Sequence, residues 1–333
     1  MKKLGRIGKN AAVTVAAPIL VYLFFFGLCA ATGHEGFGVG ADLRTIVVNT
    51  VYSGFIALAV SYNLTSGRFD FSVGAVLILS VIVGGTLAKE WNAGPVALVL
   101  LIVGVGMALG LCSGLIYIAL RLPPMVTSLG VAMIYEAIAF KINKANGIRL
   151  IGKFDLLIWA QTPYNLILLG CALLLLILLL NFTQFGYDCR SLRTGQKNAV
   201  EVGVNENRNA VLCYIIAGGL MACAGVIYLC QYAYIAPKTG LSSSSFLMSA
   251  FLPMFIGGAL EKYSDRNIGV IMGALVQACI SSGLVKMGVS SSLKTVFDGA
   301  IVLLFLVYVS NSYKFGLYRA YRQKKQRALS EAS

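Results

Sequence analysis

Residues 163–182 read PYNLILLGCALLLLILLLNF, a continuous apolar run without a charged side chain. A helix needs roughly 20 largely apolar residues to cross the hydrocarbon core of a bilayer. Lipid offers backbone N–H and C=O groups no partner, so only helices and closed barrels can span it. The run does not alternate between apolar and polar residues, as a barrel strand would, and it therefore predicts a transmembrane helix. Residues 172–180 are almost entirely leucine and isoleucine, which suits the lipid boundary.

Runs of the same kind recur along the chain. Of its 333 residues, 58% are hydrophobic and only 12% are charged, whereas soluble domains carry roughly a quarter charged residues. We therefore predict an all-α integral membrane protein, a polytopic bundle of about ten transmembrane helices that forms one domain over residues 1–333. The eighth span is short, and the sequence leaves open whether it is full, broken or re-entrant. The spans are expected near residues 11–31, 45–65, 71–88, 95–120, 125–143, 163–182, 209–232, 246–260, 267–285 and 294–312.

The Lys and Arg residues behind the formal net charge of +14 sit at the chain ends and between the apolar runs. This arrangement argues against nucleic-acid binding and is typical of a membrane protein. With ten spans, about twice as many basic residues fall on the side of the two termini as on the other side, which predicts cytoplasmic termini. The basic tail, residues 314–333, is expected to lie against anionic lipid headgroups.

Small residues predict where the helices touch. Gly106, Gly110 and Gly114 recur every four residues, and Gly269 and Gly273 repeat the pattern. Glycine at this spacing lets helix backbones approach closely, so we expect helix–helix contacts at both places.

Turns are also visible. Pro123 and Pro124 cannot continue a helix and fix the turn between the fourth and fifth spans. Gly67 and Gly74 flank the short polar joint between the second and third spans, where a tight turn and close approach are expected.

The longest polar stretch is residues 183–208, which the charge count places in the cytoplasm. Thr194 and Gly195 can open a short helix, and Gly203 can end it because glycine accepts a positive φ. A short helix that stands off the membrane has the shape needed to dock into a cleft of a soluble partner; a plain solvated loop is the alternative. The residues expected to make this contact are Gly195, Gln196, Asn198, Ala199, Glu201 and Gly203.

The sequence contains no GxxxxGK[ST] phosphate-binding loop, so the chain is not expected to bind and hydrolyse ATP by itself. It has one histidine, His34, and no clustered His and Cys residues of metal-site spacing. We therefore predict no catalytic residue, no metal and no cofactor. A membrane-embedded enzyme is disfavoured on the same grounds.

Few polar residues interrupt the spans, and each has a structural alternative to a role in transport. Asp70 or Ser72 can cap the third helix, whereas Glu136 faces a pore or is paired near the membrane boundary. Each of the others, taken alone, is more often a contact between helices. The candidates for a translocation pathway are Asn49, Tyr62, Asn63, Asp70, Ser72, Glu136, Gln231 and Gln277.

Four blocks of the chain resemble a known family. SGRFDFSVG (Ser66–Gly74) resembles the TGGIDLSVG segment of the ribose, galactoside, arabinose and xylose permeases of ABC importers. LRLPPMVTSLG (Leu120–Gly130) resembles their LRIPPFIVTLG, and GQKNAVEVGVNENR (Gly195–Arg208) resembles their GGNEEAARLSGINVKR loop. FIGGAL (Phe255–Leu260) resembles VLGGTS. The blocks keep the family's order and spacing over nearly the whole chain.

The sequence also departs from the family pattern. Arg68 stands where the family has a second glycine, and Phe246–Phe251 lacks the usual acidic residue. The segment Glu261–Arg266 replaces the family's SGGRG. These changes mark a divergent member and leave the solute open.

The resemblance implies a permease subunit of the bacterial inner membrane that moves a monosaccharide or similar polar solute. It implies a second permease subunit, identical or related, two cytoplasmic ABC ATPase subunits that bind the ATP, and an extracytoplasmic solute-binding protein. The alternatives are a nucleoside or branched-chain amino-acid permease of the same class, and an ion-coupled secondary transporter, which would need acidic or broken-helix ion sites within the membrane.

Overall fold

The computed structural model describes residues 2–33, 37–290, 292–304, 306–307 and 311. Its regular elements, apart from two 3-10 turns, are α1 (Lys2–Ala31), α2 (Gly40–Thr65), α3 (Val73–Glu90), α4 (Pro95–Leu120), α5 (Pro124–Lys141), β1 (Ile148–Arg149), α6 (Tyr164–Phe182), α7 (Gln184–Thr194), α8 (Gln196–Glu201), α9 (Glu206–Tyr232), β2 (Tyr234–Ile235), α10 (Ser244–Met248), α11 (Phe251–Leu260) and α12 (Arg266–Lys286). Residues 292–304 are also helical. The described residues divide into two compact units, with the boundary between Met287 and Gly288.

The prediction of an all-α polytopic bundle is confirmed. Among the described residues, eight helices are long and apolar enough to cross a membrane, namely those at Asn10–Ala31, Gly40–Leu64, Val73–Glu90, Pro95–Leu120, Pro124–Ala145, Tyr164–Phe182, Glu206–Tyr232 and Arg266–Lys286. The expected number of about ten is not confirmed. The sequence was right about where these eight lie, to within a few residues at most ends.

The predicted eighth span, residues 246–260, is not one helix. It is divided between α10 and α11, with Ser249 and Ala250 between them, so it is a broken segment rather than a full span. The predicted tenth span, residues 294–312, is helical over its described part as far as residue 304. The predicted basic tail, residues 314–333, lies outside the described residues.

The glycine faces pack as predicted. An added Cβ at Gly110 would lie 2.2 Å from the carbonyl oxygen of Tyr214, and one at Gly218 would lie 2.2 Å from that of Gly106. The backbones of α4 and α9 therefore touch, which only glycine permits at these positions. The second pattern brings α12 onto α11, where a Cβ at Gly273 would lie 2.3 Å from the carbonyl oxygen of Pro253.

The bundle has two chemically different ends. At the strand end, β1 pairs antiparallel with β2, and the indole nitrogen of Trp159 donates to the Pro95 carbonyl at 2.8 Å. Lys153 reaches Asn92 there at 2.8 Å. At the opposite end, which we call the coupling end, α2 and α11 finish, α9 and α12 begin, and α7 and α8 lie between them.

The lipid-facing assignment of α6 also agrees with the structure. Only Asn165, Leu169 and Leu176 are buried along this helix. Four further leucines, Leu166, Leu174, Leu175 and Leu178, stay exposed on the protein, as expected for a helix at the lipid boundary.

The contact of α4 with α9 can be tested by Gly110→Ala. The added methyl group meets the Tyr214 carbonyl, so we expect a loss of roughly 1–3 kcal/mol of stability from overpacking. Gly104→Ala on the same helix is the matched control because nothing lies within 4 Å of its Cβ position. Thermal unfolding in detergent measures both variants, and Gly104→Ala should be unchanged or more stable by roughly 0.5–1 kcal/mol. Equal midpoints for the two variants would contradict the packing.

Candidate functional site

The polar stretch at residues 183–208 is more ordered than the sequence suggested, and we call it the coupling segment. The predicted short helix is present as α8, and Gly203 follows it with φ +99°, as expected for the residue that ends a helix. The preceding helix α7 was not predicted. It is a polar helix that buries little more than Gly186 and Leu192, so its apolar pattern is too sparse to be seen in the sequence.

The helix α8 presents most of its side chains to solvent. Ala199 is its buried residue, and the Gln196 amide donates to the Glu206 carboxylate at the start of α9. Asn198 and Glu201 are exposed. Val200, within α8, and Val202, directly after it, are 46% and 86% exposed. An exposed apolar edge on a short polar helix is suited to contact with another protein.

An ion pair joins the coupling segment to the turn between α11 and α12. The Arg193 guanidinium on α7 contacts both carboxylate oxygens of Glu261, at 2.5 and 2.6 Å. The hydrogen bonds from Arg193 lower the pKa of Glu261, so the carboxylate is ionised at neutral pH. This bidentate geometry fixes orientation as well as distance.

The joint between α2 and α3, residues 66–72, turns at Gly67, whose φ is +75°. Asp70 then accepts hydrogen bonds from the backbone N–H of Ser72 at 2.8 Å and from its hydroxyl at 2.6 Å. Of the two predicted capping residues, Asp70 is therefore the one that accepts a bond at the start of α3. Burial raises the pKa of Asp70 from its ordinary value of 3.8 to about 6, although both Ser72 hydrogen bonds oppose this shift.

Arg68 connects this joint to the coupling segment. Its side chain is 1% exposed, and its Nη2 donates to the Asn209 side-chain oxygen at 3.0 Å. Glu206 lies 4.0 Å from Nη1. A buried guanidinium is costly unless its charge is matched and its donors are used. Arg68 therefore holds the joint against the first turns of α9.

The Glu136 carboxylate is buried and hydrogen-bonded to backbone N–H groups. Glu136 is 2% exposed, and its carboxylate accepts from the N–H of Leu241 at 2.8 Å and of Ser243 at 2.9 Å. Gly240 and Leu241 both have positive φ, so the carboxylate stabilises a turn that L-residues seldom adopt. An added Cβ at Gly74 would lie 2.1 Å from the Ser243 carbonyl oxygen, which confirms the predicted close approach at this glycine.

The predicted pathway residues do not form one cluster. Asn63 and Asp70 lie 3.5 Å apart at the coupling end, where Ser72 contacts Asp70 and Tyr62 donates to Asn267. Glu136 lies beside the start of α10. Gln231 lines a separate cavity of about 320 Å³ with Arg44 and Gln161. Asn49 and Gln277 lie on α2 and α12, which pack together; Asn49 is partly exposed and Gln277 is buried.

The predicted turn at Pro123 and Pro124 is confirmed, since α5 begins at Pro124.

Sequence reasoning missed the contacts that organise the coupling end. Arg68 was visible only as a departure from a glycine, and nothing in the sequence indicated its pairing with Asn209. The pairing of Arg193 with Glu261 joins residues 68 positions apart, and no local sequence pattern predicts it. Among the described residues, no group of three or more His, Cys, Asp and Glu side chains is placed to hold a metal ion.

A bundle of apolar helices with a polar segment at one end defines the chain as a multi-pass membrane protein. The chain belongs to the family described as branched-chain amino acid transport system, permease component, whose model matches residues 43–306.

Relatives with described roles are import permeases. A ribose import permease protein of Bacillus subtilis is 27% identical over 270 residues, which is 79% of this chain and 81% of that protein. An autoinducer 2 import system permease protein of Photorhabdus luminescens is 25% identical and covers 91% of this chain and 90% of its own. A galactose/methyl galactoside import permease protein of Haemophilus influenzae is 26% identical over 78% of this chain and 83% of that protein.

The ion pair of α7 can be measured by a double-mutant cycle of Arg193→Ala and Glu261→Ala. The side chains are 42% and 31% exposed, so solvent screens the pair and we expect a coupling energy of about 0.5–1 kcal/mol. Thermal unfolding of the two single variants and the double variant gives this energy. In about 1 M salt it should fall towards zero, and additive single effects at low salt would contradict the pairing.

The buried carboxyl of Asp70 predicts a pH-dependent stability. Its pKa is raised in the folded chain, so the folded state binds this proton more tightly than the unfolded state. The free energy of unfolding therefore rises as the pH falls through about 6. The gain is complete once the pH is below the ordinary pKa of Asp, and it totals up to roughly 2–3 kcal/mol. The difference in unfolding midpoint between wild type and Asp70→Asn measures it. Between pH 7.5 and pH 4 the wild type should gain on the variant, and a constant difference would contradict the burial effect.

Proposed function

We propose that the chain is the membrane subunit of an ATP-binding-cassette importer for a monosaccharide or a similar hydroxyl-rich solute. The support for the solute class is that the three relatives described above are named as import permeases for ribose, autoinducer 2, and galactose with methyl galactoside. A further relative, from Rhizobium meliloti, is named as a fructose import permease protein and is 23% identical.

The observation that carries the proposal is the way the coupling segment is tied into the bundle. It has one ionic contact to the turn before α12, through Arg193 and Glu261. Arg68 adds a second contact, from the α2–α3 joint to the first turns of α9. A partner that moved α8 would therefore act on the ends of several spans at once. This is the linkage that a permease driven by a separate motor requires.

The motor is a pair of cytoplasmic ATPase subunits in this proposal. The exposed Val200 and Val202 supply an apolar contact, and the polar side chains around them supply its rim, as in a protein–protein interface. A second permease subunit completes the pore, and an extracytoplasmic binding protein delivers the solute. Both termini and the coupling segment then lie in the cytoplasm, in agreement with the distribution of basic residues.

The chain's own contribution is mechanical and selective rather than catalytic. When the ATPases close, α8 is displaced and transmits the movement through α7 and α9 to the α2–α3 joint. Solute affinity within such a pathway must stay low enough for release. The engagement of Glu136 by two backbone N–H groups leaves this carboxylate with a structural role, which is unlike the ion site that a secondary transporter needs.

A branched-chain amino acid is the second candidate solute because the family description carries that name. Uptake of labelled ribose, galactose and leucine by cells that express the complete importer distinguishes the two classes. We expect saturable uptake of a sugar and none of leucine. Uptake of leucine alone would overturn the sugar assignment but not the class of transporter.

The source of energy separates an ATP-driven importer from an ion-coupled carrier. Uptake should continue when an ionophore collapses the proton and sodium gradients while the ATP concentration is held. It should stop when ATP is depleted and the gradients are kept. The reverse pattern would overturn the proposal.

The coupling role of α8 is tested by Gly203→Val. Valine at φ +99° costs at least about 1–2 kcal/mol, so the end of α8 shifts and ATP-driven uptake should fall about tenfold at unchanged membrane insertion. Gly152→Val is the matched control, since its φ is +86° and nothing lies within 4 Å of the added Cβ at either glycine, yet Gly152 lies at the strand end. Equal uptake by the two variants would count against the coupling role.

A further inference from the structure

The coupling end holds two thiols that the proposed transport cycle does not use. Cys189 lies on α7 and Cys213 lies on α9, and their Sγ atoms are 4.0 Å apart. Neither is in a disulfide. The two residues are 24 positions apart in the chain and belong to different helices, so a bond between them would join the coupling segment to a membrane span.

The two sulfur atoms differ in access. Cys213 is buried, whereas Cys189 is partly exposed and lines a cavity of about 340 Å³ between α7 and the turn before α12. Arg190, Arg193 and Arg266 line the same cavity. A small reagent therefore meets Cys189 first and can reach Cys213 only by way of it.

The surroundings favour the reactive form of Cys189. The Asn209 amide nitrogen donates to its Sγ at 3.2 Å, and Arg68 Nη2 donates to Cys213 Sγ at 3.6 Å. The hydrogen bond from Cys213 lowers the pKa of Cys189; Asn209 and the Arg68 charge act in the same direction, while burial and the charge of Asp188 oppose them. The thiolate is the nucleophile in thiol chemistry, so these contacts promote its reaction.

We propose that Cys189 and Cys213 form a reversible modification site, at which a hydroperoxide oxidises the two thiols to a disulfide that ties α7 to α9. The pair combines an accessible first thiol with a buried second thiol at 4.0 Å. That arrangement is the one expected of an oxidation-sensitive cysteine beside a resolving cysteine. In the reducing cytoplasm such a disulfide is transient, which suits regulation rather than structure.

The reaction balances in two steps. The Cys189 thiolate attacks one oxygen of the peroxide; an S–O bond forms, the O–O bond breaks, and the departing alkoxide or hydroxide takes a proton, which leaves a sulfenic acid. The Cys213 sulfur then attacks the Cys189 sulfur; the S–S bond forms, the S–O bond breaks, and the hydroxyl leaves as water with the Cys213 proton. Two thiols lose two electrons and the peroxide gains them. A cellular thiol reverses the change by exchange.

The consequence for transport rests on the proposed function. A disulfide would fix α7 against α9 and so block any movement of one helix relative to the other when α8 is displaced. Oxidation should therefore stop uptake while the chain remains folded, and reduction should restore it.

The site is tested by mass spectrometry on the purified chain after hydrogen peroxide and alkylation of remaining thiols. We expect a linked peptide pair containing Cys189 and Cys213 that disappears after dithiothreitol. Cys189→Ser and Cys213→Ser should each abolish it, and Cys223, which is buried on α9, should stay alkylatable after unfolding. Persistence of both thiols, or irreversible oxidation of Cys189 without the link, would overturn the site.

The functional consequence has its own measurement. Peroxide-treated cells should lose uptake in the wild type and recover it with dithiothreitol, and Cys213→Ser should keep its uptake throughout. Equal uptake before and after complete disulfide formation would overturn the regulatory half. If the chain is no importer, uptake is absent in reduced cells as well, while the linked peptides still form; this outcome supports the modification site and identifies the proposed function as the part that failed.

Discussion

Direct backbone contact between α4 and α9 organises the described part of the helix bundle. Two helices in lipid gain nothing from leaving water, so they associate by close packing, and glycines at Gly106, Gly110 and Gly218 give the backbones room to touch. This contact sets the position of α9, which is largely buried along its length. The first turns of α9 in turn hold Asn209 and Cys213. The packing of α4 against α9 within the bundle thus also sets where Asn209 and Cys213 lie at the coupling end.

At the coupling end, charged and polar contacts join the coupling segment to the ends of the membrane spans. Any movement of α8 towards the spans would pass through these contacts. Arg68 is the costly member because a guanidinium that is almost wholly buried must be balanced by Asn209 and Glu206. Within the described part of the chain, its Nε and Nη1 atoms have no hydrogen-bond partner, so this balance is incomplete. The Arg193–Glu261 pair is more exposed and easier to break, which is consistent with a contact that opens and closes. In the proposed transport cycle, Arg68 would supply the lasting contact and the Arg193–Glu261 pair the contact that opens.

Much of this fold could be read from the sequence, for physical reasons that differ by element. The long spans were predictable because apolar length alone defines them, and α8 was predictable because Gly203 marks its end. The turn at Gly240 and Leu241 before α10 was not, since Glu136 holds the Leu241 and Ser243 amides there from another helix. The helix α7 was missed because it buries too little to leave an apolar period. Contacts such as Arg68 with Asn209 need the tertiary fold, and no local pattern encodes them.

Transport driven by a separate cytoplasmic motor requires the coupling segment to face the cytoplasm. Val202→Cys, at a side chain 86% exposed, can be labelled with a membrane-impermeant maleimide in a chain that carries Cys189→Ser. Ile151→Cys at the strand end, 75% exposed, is the control, because it should be labelled from the opposite side of the membrane. The account predicts that intact spheroplasts label position 151 but not 202, and that inverted vesicles label 202 but not 151. Labelling of position 202 in intact spheroplasts would contradict it.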